Sequence, residues 1–180
     1  MPSARSPETG TDQWDTEASG RFRAKTSKGA EKHMRDKTSI SILIADDDAD
    51  DRMLIEDAFR ESRLSSPLSF VENGEELLHY LRAEGRFASR KGERMPRLIL
   101  LDLNMPKMDG RTALKHLKAD PDLRRIPVVV LTTSKAEEGI LRTYDLGVSS
   151  FITKPVTFQG LVDVVRALNT YWIEIVELPA

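Results

Sequence analysis

Three aspartates, Asp46, Asp47 and Asp48, follow the aliphatic run ISILIA, and Asp102 closes a second run, RLILLD. Thr132 and Thr133 follow PVVVL, and Thr153 and Lys154 follow SSFI, just before Pro155. Aspartate is among the least buried residue types unless something pairs with it, so acids at the ends of apolar runs need a reason to be there. If the carboxylates of the two acidic segments meet, they repel, and without help one stays protonated or the site loses stability. A divalent cation removes that conflict. Oxygen-only ligands with room for water suit Mg²⁺ better than zinc, because cysteine is absent and the three histidines are not grouped. Lys154 and Thr132 are then spare donors, suited to hold the oxygens of a phosphoryl group. Asp102 is open to two roles, ligating the metal or attacking phosphorus, and its two oxygens permit both.

Such a set works only if the chain brings it together. Apolar runs lie at 40–45, 67–71, 97–102, 127–132 and 149–153. Several are continuous rather than alternating, as in parallel strands covered on both faces. Helical periodicity fills the gaps: 49–63 aligns Met53, Leu54, Ala58 and Phe59, and 74–83 aligns Leu77, Leu78 and Leu81. Stretch 110–119 offers Ala113, Leu114 and Leu117, 135–146 offers Ile140, Leu141 and Tyr144, and 158–172 offers Leu161, Val162, Val165 and Leu168. Strand and helix alternating five times predict an α/β fold with an open, doubly wound parallel sheet. That architecture puts its working site outside the carboxyl ends of the strands, where the acids, the hydroxyl and the amine fall.

The 180 residues, 39% hydrophobic, allow one compact domain but not two. A net charge of −2 gives no overall footprint for direct nucleic-acid or membrane binding, and no signal peptide or membrane span is legible. The expected location is cytoplasmic. Residues 1–38 are expected to be a disordered tail, polar except for Trp14 and Phe22, and Met34 is an alternative start. The other end, with Tyr171, Trp172, Ile173, Ile175, Val176 and Leu178, is more apolar than a chain end in water should be. It either folds back or supports a homodimer, and the dimer is the favoured reading.

Four segments, ILIADDDADD, LLDLNMPKMDG, VVVLTTS and FITKP, in this order and spacing, resemble the CheY-like receiver domain of two-component response regulators. The narrower likeness is to single-domain regulators that partner phytochromes, and rests on LRAEGRFASRKGERMP, KADPDLRRIPVVVLTTS and YWIEIVELP. The resemblance implies a flavodoxin-like sheet of order 2-1-3-4-5 with five helices, a receiver domain over 39–172, and an apolar 173–180 tail in a possible dimer contact. It implies Asp102 as phosphoacceptor from a sensor histidine kinase. It further implies Mg²⁺ on Asp46, Asp47, Asp102 and the Asn104 carbonyl, with Asp46 acting directly or through water. Thr132 and Lys154 then bind phosphoryl oxygens, Thr132 and Phe151 form the switch, and Pro155 is a cis proline. Phe151 lacks the hydroxyl a tyrosine would carry there, so the resemblance does not extend to a switch signalled by hydrogen bonding at the surface. The implied dimer face comprises the fourth helix, fifth strand and fifth helix.

Plainer readings exist for the same residues. Asp46 to Asp51 could be helix N-terminal acids with Asp48 as the cap. Met105-Pro106 and Asp109-Gly110 read as a turn and a helix entry. His33, His79 and His116 read as solvated and are not assigned as phosphodonors. An aspartyl phosphatase of the haloacid-dehalogenase type is disfavoured because position 104 is Asn rather than Asp, and a silent binding module has no need of mutually repelling acids. No output domain is expected beyond the receiver, so the signal is expected to leave by binding.

Overall fold

The structure, a computed structural model, describes residues 40–132 and 147–175, with side chains to residue 172. Five strands, β1 (Ile42–Ala45), β2 (Leu68–Val71), β3 (Leu98–Asp102), β4 (Val128–Thr132) and β5 (Ser150–Thr153), form one parallel sheet in the order β2-β1-β3-β4-β5. Each lies within two residues of an expected apolar run. Four α-helices are described, against five expected: α1 (Ala49–Glu61), α2 (Gly74–Arg82), α3 (Gly110–Ala119) and α4 (Phe158–Asn169). The remaining expected stretch, 135–146, lies outside the described residues, as do the 1–38 tail, Met34 and most of the C-terminal tail.

Every residue of β1, β3 and β4 is buried, which explains their unbroken apolar sequence. Side chains alternate between the two faces of the sheet. Leu43, Ala45, Ile99, Leu101 and Val130 pack beneath α2 and α3, against Leu77, Leu81, Ala113 and Leu114. Ile42, Ile44, Leu98, Leu100 and Leu131 pack on the other face, against Ile55 and Phe59 of α1 and Val162 and Val165 of α4.

On α1 the expected inward set needs correction. Met53 is 56% and Leu54 40% exposed, whereas Ile55, Ala58 and Phe59 are buried. The triplet at 55, 58 and 59 has the i, i+3, i+4 spacing that meets the sheet, and the two residues before it turn aside. After α4 the helix widens into a π-helical turn, Thr170–Ile175. There the Trp172 side chain joins the α1/α4 core while Tyr171 stays 53% exposed. Folding back thus accounts for Trp172. The long segment before β3 contains a 3₁₀ helix, Gly85–Arg90, pinned where Arg90 lies 3.5 Å over the Tyr80 ring. No helix among the described residues is long and apolar enough to cross a membrane.

Candidate functional site at the carboxyl edge of the sheet

The register sets Ala45 opposite Leu101, so the residues that follow, Asp46 and Asp102, emerge side by side. Both are buried, Asp46 fully and Asp102 to 6% exposure, while Asp47 is exposed. One carboxylate oxygen from each of Asp46, Asp47 and Asp102 lies within 4.8 Å of the others. Thr132 and Thr153 are paired on β4 and β5, and Lys154 follows, its backbone N–H donating to the Thr132 carbonyl at 2.7 Å. Its Nζ donates to Asp102 Oδ2 at 2.7 Å and to Asp46 Oδ2 and Asp51 Oδ2 at 2.8 Å each.

Charge explains the protonation preferences. Burial raises the Asp46 carboxyl above the ordinary carboxylate range, and the hydrogen bond and charge of Lys154 oppose this only in part. Burial by itself would lower the Lys154 ammonium. Hydrogen bonds to Asp102, Asp46 and Asp51 overcome it and hold Lys154 above the ordinary lysine range. A single ammonium thus serves three carboxylates, with exposed Asp47 beside them. This excess of oxygen donors fits a divalent cation, which the three grouped aspartates could hold.

Local structure fixes the acids. Asp48 caps α1 as expected, accepting from the N–H groups of Asp50 at 2.8 Å and Asp51 at 3.3 Å. Asp46 Oδ1 accepts the Asp48 N–H at 3.0 Å, and Arg52 Nη1 donates to the Asp46 carbonyl at 2.7 Å. Arg52 also pairs with Glu72 at 3.3 Å, beyond the end of β2. On the β3–α3 loop, the Asn104 N–H donates to Asp102 Oδ1 at 3.2 Å, and Asp109 caps α3 by accepting from Thr112 at 2.7 Å. Gly110 is more than a helix entry. A Cβ there would lie 2.1 Å from the Asp102 carbonyl oxygen.

The structure therefore brings together Asp46, Asp47, Asp102 and Lys154, with Thr132 buried at the end of the neighbouring strand. Phe151 is half-buried against the α2/α3 core, and Pro155 lines a cleft beside Lys154. His79 and His116 are exposed, and His33 lies outside the described residues. Sequence reasoning missed Asp51, Arg52 and the close approach at Gly110. Asp51 and Arg52 sit one turn into α1 from the acidic triplet, so helical periodicity applied to the polar residues as well as the apolar ones would have flagged them.

The family model for the response regulator receiver domain matches residues 42–166. The response regulator Rcp1 of Synechocystis is 37% identical over 139 residues, covering 77% of this chain and 92% of that protein. Among solved structures, the phosphorylated cyanobacterial phytochrome response regulator RcpA is 40% identical with a TM-score of 0.70, covering 79% of this chain and 99% of that one. The Mn²⁺-bound form of Rcp1 is 37% identical with a TM-score of 0.68, covering 78% and 99%. With more than half of the chain matched and the acidic edge formed at the strand ends where the fold places its site, this chain belongs to the response regulator receiver domain family of two-component signalling.

Proposed function

We propose that Asp102 accepts a phosphoryl group from the phosphohistidine of a sensor kinase. The observation that carries this is Lys154 Nζ 2.7 Å from Asp102 Oδ2, in a cluster with Asp46 and Asp47. The Asp102 oxygen attacks phosphorus as the N–P bond breaks, and the histidine nitrogen leaves with the bonding pair and takes a proton. Lys154 shifts its bond from the carboxylate to a phosphoryl oxygen, and the Thr132 hydroxyl binds another. Asp46, Asp47, Asp102 and the Asn104 carbonyl would hold Mg²⁺, which would supply positive charge against the gathered oxygens. Phosphorylation adds between one and two negative charges. The pull on Thr132, with Phe151 next in line and a cis Pro155 aiming Lys154, then biases a two-state surface by roughly 1–3 kcal/mol.

In this reading the protein is a phosphoacceptor with slow self-dephosphorylation rather than a turnover enzyme. It is cytoplasmic and binds protein partners rather than nucleic acid or membrane. The proposed limits are a tail over 1–38, the receiver domain over 39–172 and a contact tail over 173–180. The likeness to a phytochrome response regulator supports a bacteriophytochrome as the kinase. Leu54, Val156 and Phe158 are exposed around the cleft that leads to Asp51 and Lys154. A kinase helix seated on that apolar rim delivers its phosphohistidine toward Asp102. The homodimer is proposed to use the 135–146 stretch, β5, α4 and the tail, where Tyr171 stays exposed.

The test is incubation with acetyl phosphate or phosphoramidate and Mg²⁺, followed by intact mass. Wild type gains one phosphoryl mass and Asp102→Asn gains none. A phosphoryl group that persists on the variant refutes the assignment.

A further inference from the structure

At the opposite, amino edge of the sheet, a groove of about 880 Å³ is lined by Arg94, Arg97, Arg124 and Arg125, with Met95 and Pro127 between them. All four arginines are exposed. Arg52, Arg60, Arg82, Arg86, Arg90 and Arg166 each pair with a carboxylate. Arg94, Arg124 and Arg125 pair with none among the described residues, and the acid in the groove wall is Asp122. Unpaired guanidiniums lining a concave surface that also has apolar walls fit an acidic peptide carrying a large apolar side chain.

The chain holds such a peptide. Residues 8–17, ETGTDQWDTE, contain Glu8, Asp12, Asp15 and Glu17, no basic residue, and Trp14. By contrast, residues 21–37 carry seven lysines and arginines against two acids. The chain enters the described domain at Ile40, on the groove's own edge, where the Arg97 N–H donates to the Ser41 carbonyl at 2.9 Å. For a chain of the 23 residues that separate Glu17 from Ile40, random-coil scaling gives a root-mean-square reach of about 26 Å. Tethering of that kind gives an effective concentration on the order of 1 mM, so even weak contacts close the loop.

We propose that residues 8–17 dock in this groove, their carboxylates on Arg94, Arg124 and Arg125 and the Trp14 indole against Met95 and Pro127. The groove is then an acidic-peptide site at the end of the domain remote from Asp102, and an external acidic partner must displace the chain's own segment to use it.

Trp14 supplies the readout. Acrylamide quenching of the full chain, less that of Trp14→Phe, isolates Trp14 from Trp172. At low salt Trp14 is expected to be severalfold less quenchable than tryptophan in a free 8–17 peptide. Protection is lost in Arg124→Glu/Arg125→Glu, in salt of about 1 M, where screening falls to about 3 Å, and on adding poly-glutamate. Quenching at the free-peptide value in the wild type overturns the proposal. So does protection that survives the double reversal, which puts the segment elsewhere, or protection that depends on protein concentration, which puts it on a second copy.

Discussion

Lys154 is shared by three carboxylates, and this fixes what its loss should do. With the lysine side chain only 18% exposed, Lys154→Met leaves Asp46, Asp51 and Asp102 without their ammonium. The expected cost in chelator is about 3 kcal/mol, read from urea unfolding, with partial recovery on adding Mg²⁺. Because Lys154 is held above the ordinary lysine value of 10.5, its contribution is complete below that pH and fades as pH rises through the folded-state value. Wild type should therefore lose stability in alkali through a step that Lys154→Met lacks. Arg52 acts one layer out, fixing the carbonyl that links Asp46 to Asp47. Arg52→Ala is expected to weaken divalent-ion affinity about tenfold, measured by calorimetric titration, as loss of such an outer support usually does.

Helix entries tie the acids to the scaffold. At Gly110 an alanine Cβ would meet the backbone of Asp102 and Leu103, 2.1 Å from the Asp102 carbonyl oxygen and 2.8 Å from Leu103 Cα, and neither can swing away. Gly110→Ala is expected to cost about 3 kcal/mol and to slow phosphorylation, since the atoms displaced belong to the acceptor residue. Asp109→Ala, one residue earlier, removes only the cap and should cost about 1 kcal/mol with phosphorylation intact. The backbone bond from Thr112 holds Asp109 below the ordinary value of 3.8, so its contribution is present above that pH and lost as pH falls through the folded-state value. Comparing the two variants in acid and at neutrality, by thermal unfolding and intact mass, separates a cap from a site support.

Across the whole molecule, charge is divided between the two edges of the sheet. Among the described residues, acids gather at the carboxyl edge and exposed arginines at the amino edge, while the net charge of the full chain is only −2. Mg²⁺ at 100 times its dissociation constant should stabilise the wild type by about 2.7 kcal/mol. Asp102→Asn should keep less of that gain and be more stable than wild type in chelator, because one repelling charge is gone. The proposed homodimer predicts a light-scattering mass that rises with concentration and with phosphoryl donor. A constant monomer mass under both conditions excludes it.

The order of apolar runs was enough to determine the parallel sheet, because strands buried on both faces must be apolar throughout and leave their polar residues at the ends. For the same reason Asp46, Asp102, Thr132 and Lys154 could be picked out by position and type. Helix faces were legible where Leu77, Leu78 and Leu81 or Ala113, Leu114 and Leu117 repeat at helical spacing. They misled at Met53 and Leu54, since periodicity reports which residues are apolar but not which neighbour covers them. Only the tertiary structure decided that Asp51 shares Lys154, that Arg52 reaches back to Asp46, and that Gly110 has no room for a methyl group. Lys154 lies 103 residues from Asp51 in the chain, and their contact depends on how α1 and β5 pack across the sheet edge, a distance that no local pattern encodes.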